Sequence, residues 1–194
     1  MVQKASVVTA ERFDGGLSYS EYIGQIKVNK DRFQEHYVST PLSESDVVFF
    51  QRAAKTVDGP TKVLVIGEDW CPDVYRGMPV MARIADASGI DMRVFPRDSN
   101  PDIMQEFLKD GQFQSIPVFV FYTSDQRYIC HWIEKPELAH KESLEASEQV
   151  KVQMPNASEQ EIRAEARKKN NARFPAWQEA TIHELRELLS INLR

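Results

Sequence analysis

The sequence predicts an α/β fold: a roughly four-stranded mixed central sheet flanked by helices. Three observations carry that expectation. Val63-Leu64-Val65-Ile66 is an unbroken apolar run of strand length, the pattern of a strand buried on both faces. A helical stretch and a second short apolar segment, Met92-Arg93-Val94-Phe95, follow it, the order of a right-handed βαβ unit. Val118 to Tyr122 and Arg127 to Ile133 then flank Thr123-Ser124-Asp125-Gln126, as the arms and turn of a hairpin.

Taken in order, Met1 to Gly16 is weakly patterned, with Val7-Val8 a candidate extended pair and Asp14-Gly15-Gly16 a turn. From Ser18, Tyr19, Tyr22, Ile23, Ile26, Phe33 and Tyr37 recur at spacings near three and four. They predict an amphipathic helix or helix pair with its apolar face on the core. Pro41 breaks it. Ser43 caps the next helix, with Asp46 at the third helical position and Val47, Val48, Phe49, Ala53 and Ala54 inside. Gly59-Pro60 ends that helix, and Val63–Gly67 is the central strand. A helix runs from Pro72 to Ser88, with Met78, Met81, Ile84 and Ala85 toward the sheet and Gly89 closing it. Pro101 to Lys109 is expected as a short helix capped by Asn100 and closed near Gly111.

After Pro136 the composition turns polar. Glu137 to Met154 reads as a helix that loosens into an exposed linker, and Ser158 with Glu161 opens another helix. Pro175 interrupts it, and Trp177 to Leu189 forms the last. The expected organisation is a single domain: a helical N-terminal extension over 1–60 packed on the core, an α/β core over 61–136 and a helical C-terminal extension over 137–194.

Chemistry concentrates where the central strand delivers Cys71 directly into the first turn of a helix. The unpaired N–H groups of that turn and the helix dipole favour thiolate. They predict a Cys71 pKa below that of free cysteine. Pro72 suits the first helical position, where a missing N–H costs nothing. Three features in order, Trp70-Cys71-Pro72-Asp73-Val74, Pro79 and Ser115-Ile116-Pro117-Val118, resemble the thioredoxin family. Its signature is Trp-Cys-x-x-Cys after a buried strand, a proline eight residues beyond the first cysteine, and later a cis-proline that follows a branched residue and opens an antiparallel strand. The resemblance spans roughly Val63 to Pro136, and the Glu68-Asp69-Trp70-Cys71 lead-in is similar to that of bacterial members.

That resemblance implies a thioredoxin-like fold close to the four-stranded glutaredoxin minimum. It also implies a cis Pro117, with the Ile116 backbone facing the sulfur and able to pair with an extended peptide or glutathione. Two departures accompany it. Val74 holds the position of the second cysteine, and Val65 that of the acidic residue six positions before the nucleophile. The motif is a degenerate Cys-Pro-Asp-Val, which points away from ordinary dithiol reduction.

Asp69 and Asp73 flank the sulfur as solvated charges that oppose thiolate formation, with Asp73 alternatively a cap or proton shuttle. Arg76, one helical turn on from Cys71, offsets them. In a sheet of that family's order, Cys130 lies two strand spacings, about 10 Å, from the Cys71 strand. A disulfide allows about 7 Å between Cα atoms, so Cys130 reads as a small packed residue.

The rest of the chain narrows the function classes. A formal charge of −5 over 194 residues argues against nucleic-acid and anionic-membrane partners. Two cysteines are too few for a secreted disulfide scaffold. The stretch MVQKASVVTAERFDGG has no apolar core of signal-peptide length, and no run approaches a membrane span, so a cytoplasmic location is expected. His36, His131, His140 and His183 share no ligand spacing and no metal site is expected. Arg163, Arg167, Lys168, Lys169 and Arg173 interleave with Glu161 and Glu165 as a solvated helix face. Asn156-Ala157-Ser158 matches the glycosylation pattern by chance in a cytoplasmic chain. Nothing in the sequence sets an oligomeric state.

Two readings follow. In the first, Cys71 acts as a single catalytic cysteine in thiol–disulfide exchange or deglutathionylation of a protein substrate, supported by Trp70, Pro72, Asp73, Val74, Arg76, Ile116 and Pro117. Glutathione serves as co-substrate, and no other cofactor is expected. In the second, the fold is a non-catalytic adaptor that binds partners in the groove around Trp70 and Pro117. An iron–sulfur cluster bridged by Cys71 and glutathione is disfavoured, since Pro72-Asp73-Val74 does not match the usual Gly-Phe-Ser.

Overall fold

In the computed structural model, which describes residues 6–193, four strands form one mixed sheet in the order β2-β1-β3-β4. The strands are β1 (Lys62–Gly67), β2 (Asp91–Pro96), β3 (Val118–Tyr122) and β4 (Tyr128–Ile133). Met1 to Ala5 and Arg194, the ends of the two expected extensions, lie outside the described residues. β1 is central, parallel to β2 and antiparallel to β3, with Val63 opposite Phe121 and Ile66 opposite Val118. Val63 to Ile66 and all of β3 are buried, which is why their sequences are apolar without alternation. The chain is an α/β protein with helices around a mixed sheet, and the strands differ from the sequence expectation by at most one residue at an end.

β1 leads into α5 (Pro72–Ser88), where Gly89 takes the left-handed conformation that ends the helix (φ 79°). The chain then returns through β2, completing the parallel crossover. Among the described residues, four helices precede β1. α1 (Ala10–Asp14) was not legible in the weak N-terminal pattern; Thr9 caps it and Phe13 is its one buried residue. The Tyr19–Tyr37 periodicity is a helix pair, α2 (Tyr19–Gln25) and α3 (Lys30–Ser39), separated by Ile26-Lys27-Val28-Asn29. Capping boxes at Ser18/Glu21 and Ser43/Asp46 open α2 and α4 (Glu44–Lys55). A backbone bridge from Leu17 to Val94 covers the β2 edge.

The expected helix over Pro101 to Lys109 is corrected to the single turn of α6 (Pro101–Met104). Asn100 holds the N-cap position as expected but makes no side-chain capping bond; its side-chain amide donates instead to the Pro96 carbonyl. Lys109 then pairs with Phe113 backbone to backbone. After β4, α7 (Glu137–Gln153) is continuous to its end with no loosening before it. α8 (Glu159–Asn171) opens on the Ser158/Glu161 capping box. Pro175 sits in the first turn of α9 (Phe174–Asn192), so it opens that helix. α9 packs on α5, α4 and β4, while α7 and α8 bury a small cluster of their own, Ala146, Val150 and Ala166.

Phe119 in β3 is fully buried and stacks on Trp132 of β4, with ring centroids 5.0 Å apart and planes 14° apart. Phe119→Ala is expected to cost about 3–5 kcal/mol. Thermal unfolding should show a Tm lowered by roughly 10 °C; a cost below about 1 kcal/mol contradicts the placement of this ring in an inelastic core.

Candidate functional site

The site begins where β1 stops. A Cβ at Gly67 would come within 2.8 Å of both Met78 Cε and Val74 Cγ1, so the strand end lies directly on the first turns of α5. Cys71 is the N-cap of α5 in extended conformation (φ −83°, ψ 124°), with Pro72 in the first turn. Its carbonyl accepts the amides of Val74 and Tyr75, each at 3.1 Å. Its sulfur is part-buried and lies 3.8 Å from the Ile116 carbonyl oxygen. The Ile116–Pro117 peptide is cis. A Cβ at Gly77 would approach Pro117 Cγ to 3.3 Å, so a glycine here lets α5 lie against the Pro117 loop.

The loop between Gly67 and Cys71 is held from both sides. The Asp69 carboxylate accepts the backbone amides of Lys27 at 2.8 Å and Val28 at 3.2 Å. The Asn29 side chain donates to the Asp69 carbonyl at 2.8 Å. Asp69 is therefore a clamp onto the α2–α3 connection, not the free solvated charge expected from sequence. On the other side, Glu68 accepts the Asp98 amide at 2.8 Å, and burial pushes its carboxyl pKa up. Trp70 is half exposed, at 50%. The Arg97 guanidinium lies 5.0 Å from its ring centroid and donates to the Asp98 carboxylate at 2.9 and 2.7 Å.

The Cys71 thiol is pushed up from its ordinary value, first by burial, with the Asp73 carboxylate acting in the same direction. The amides of Val74 and Asp73 and the Arg97 charge pull it back without outweighing burial. The expectation of a lowered pKa is corrected: desolvation of the anion exceeds what the helix start supplies. Iodoacetamide alkylation of Cys71 should accordingly show a midpoint above the free-thiol value of about 8.5. Arg97→Ala, which removes a cation that pulls the thiol down, should move that midpoint further up. A wild-type midpoint below the free-thiol value, or an Arg97→Ala shift downward, contradicts this account.

Asp73 is partly enclosed, with its carboxylate 3.5 Å from Arg76 and 3.7 Å from Lys135. Burial pushes its pKa up, with Lys135 and Arg76 acting against that and Glu134 with it. This also corrects the solvated-charge reading of Asp73. Arg76 pairs with Asp73 but faces the C-terminal helices. It donates to Asn171 at 3.1 Å and lies 3.5 Å from the Phe174 ring centroid, and burial lowers its pKa to about 10. Val74 is fully buried against the end of β1. Cys130 is buried in β4 opposite Phe121, with its thiol pushed up to about 12 by burial. Both cysteines are free.

Sequence reasoning missed Arg97, Lys135 and the Lys27–Asn29 connection. Arg97 had a usable signal. It follows β2 immediately, and loops after neighbouring parallel strands share the end of the sheet where α5 begins. Lys135 and the connection had none, because their contacts are made across the tertiary fold. Among the described residues, no group of three or more His, Cys, Asp and Glu is placed to hold a metal ion, and no helix is long and apolar enough to cross a membrane.

A family model described as Thioredoxin matches residues 16–149. No curated protein matches the chain. Two solved structures do. One is a protein of unknown function from Pseudomonas aeruginosa, 14% identical with a TM-score of 0.67, the alignment covering 94% of this chain and 98% of that one. The other is an HIV epitope-scaffold, 16% identical with a TM-score of 0.65, covering 96% and 98%. At these identities the two structures speak for the fold alone.

Proposed function

The chain belongs to the thioredoxin family, and on that premise we propose that it exchanges thiols and disulfides through Cys71 alone. The observation that carries this reading is the part-exposed sulfur at the start of α5, 3.8 Å from the Ile116 carbonyl. Cys71 attacks the disulfide of a protein substrate or of a glutathionylated protein and forms a mixed disulfide. The Ile116 backbone beside the sulfur holds the substrate strand by main-chain hydrogen bonds. With Val74 in the second position and Cys130 buried in β4, an external thiol such as glutathione releases the intermediate. Two free thiols suit a reducing compartment such as the cytoplasm.

The adaptor reading keeps one observation in its favour: burial raises the Cys71 thiol and so disfavours the nucleophile. Turnover decides between them. With a glutathionylated peptide and excess reduced glutathione, the protein should accelerate glutathione disulfide formation in proportion to its concentration. A rate equal to that of the protein-free mixture supports the adaptor.

A further inference from the structure

Each half of an exchange at a largely protonated sulfur needs a proton moved, and Val65 leaves the buried interior of β1 without an acid. Asp73 lies two residues past Cys71 in the first turn of α5, where its carboxylate raises the Cys71 thiol and its amide lowers it. The side chain is 20% exposed and lines a cavity with Trp132, Lys135, Pro136 and Phe174. Among the described residues, its carboxylate accepts no hydrogen bond; Arg76 and Lys135 hold it as ion pairs at 3.5 and 3.7 Å. A carboxylate held this way takes up a proton without breaking a hydrogen bond.

The charges around it come from three places. Cys71 and Arg76 belong to the start of α5, Glu134 and Lys135 to the segment after β4, and His140 to α7. Lys135 also pairs with Glu134 at 3.2 Å. Glu134 holds Lys109 at 2.6 Å, and Lys109 reaches His140 at 3.3 Å. Arg76 is fixed in turn by Asn171 of α8 and the Phe174 ring of α9.

We propose that Asp73 is the proton acceptor and donor for Cys71, positioned by Lys135 from the end of β4 and by the C-terminal helices through Arg76. The proposal rests on the exchange reading above. In the first half-reaction the Cys71 proton passes to the Asp73 carboxylate, directly or through one water. The sulfur forms a bond to the glutathionyl sulfur, the substrate S–S bond breaks, and the departing substrate thiolate takes the proton from Asp73. In the second, a glutathione thiol gives its proton to Asp73 and attacks the same glutathionyl sulfur. Glutathione disulfide leaves, and the Cys71 thiolate takes the proton. The substrate thiol is released reduced, one glutathione thiol is oxidised, and the glutathionyl group carried over from the substrate completes the glutathione disulfide.

The test pairs two rates on wild type, Asp73→Asn and Lys135→Met: iodoacetamide alkylation and glutathione-driven turnover of a glutathionylated peptide, both against pH. Alkylation reports thiolate alone, so removing the Asp73 charge should speed it near neutral pH. Turnover should fall roughly 100-fold in the same variant. A mere charge effect moves both rates upward together, and that result overturns the proposal. Lys135→Met should lower plateau turnover and move the acid limb of the profile to higher pH, because Lys135 both positions the Asp73 carboxyl and holds its pKa down. If Asp73→Asn does not fold, this limb decides, and an unmoved limb overturns the proposal. Wild type without turnover overturns the exchange reading and this proposal together. Wild-type turnover matched or exceeded by folded Asp73→Asn overturns this proposal alone.

Discussion

Cys71→Ser should bring glutathione-driven turnover to the rate of the protein-free mixture. A serine oxygen forms no disulfide under these conditions, and Cys130 offers no substitute: it is buried, and its thiol is pushed up to about 12. The loss will not be one of folding. Cys71 caps α5 without a side-chain hydrogen bond, and serine at an N-cap accepts one from the amide of the second or third helical residue. The variant should therefore melt at or slightly above the wild-type Tm. Turnover retained in Cys71→Ser places the chemistry elsewhere; turnover lost together with a large fall in Tm removes the inference to the sulfur.

Val74→Cys should gain an activity that the wild type lacks. Residues three apart in a helix have Cα atoms about 5 Å apart, within the range a disulfide bridges. The Cys71 carbonyl accepts the Val74 amide at 3.1 Å, so the turn is already closed. The new thiol sits where the Val74 methyls now pack near Gly67, at a cost of about 1 kcal/mol for the smaller side chain. The oxidised variant should lose two hydrogens in mass and reduce insulin with a small dithiol as electron source, while wild type leaves insulin at the uncatalysed rate. A variant that stays a dithiol under air, or wild type that reduces insulin equally, contradicts the view that the missing second cysteine limits this site.

The fold was largely legible because its central strands are buried on both faces. An all-apolar Val118-Phe119-Val120-Phe121-Tyr122 segment cannot be mistaken for a surface element. Helix starts were legible where a side chain closes the first turn, as Ser43 and Ser158 do. They failed where a capping residue's side chain had another partner. Asn100 faces a helical turn yet donates to Pro96, and the helix it was expected to cap stops at Met104.

The site was legible in position but not in electrostatics. Local pattern places Cys71 at a helix start, and that alone argues for a lowered pKa. The extent of its burial depends on packing that no local pattern records. Asp69 and Asp73 both looked like loop charges because their partners, Lys27, Val28, Arg76 and Lys135, lie mostly far away in sequence. The same packing gives the extensions a role. The α2–α3 connection fixes the loop before the cysteine, and α8 with α9 fixes the helix turn after it.

The most direct measurement is the intact mass of the native protein after incubation with oxidised glutathione, with the modified residue mapped by peptide fragmentation. The account predicts one glutathionyl adduct, on Cys71, reversed by reduced glutathione. An unmodified protein, or an adduct carried by Cys130 with Cys71 untouched, contradicts it.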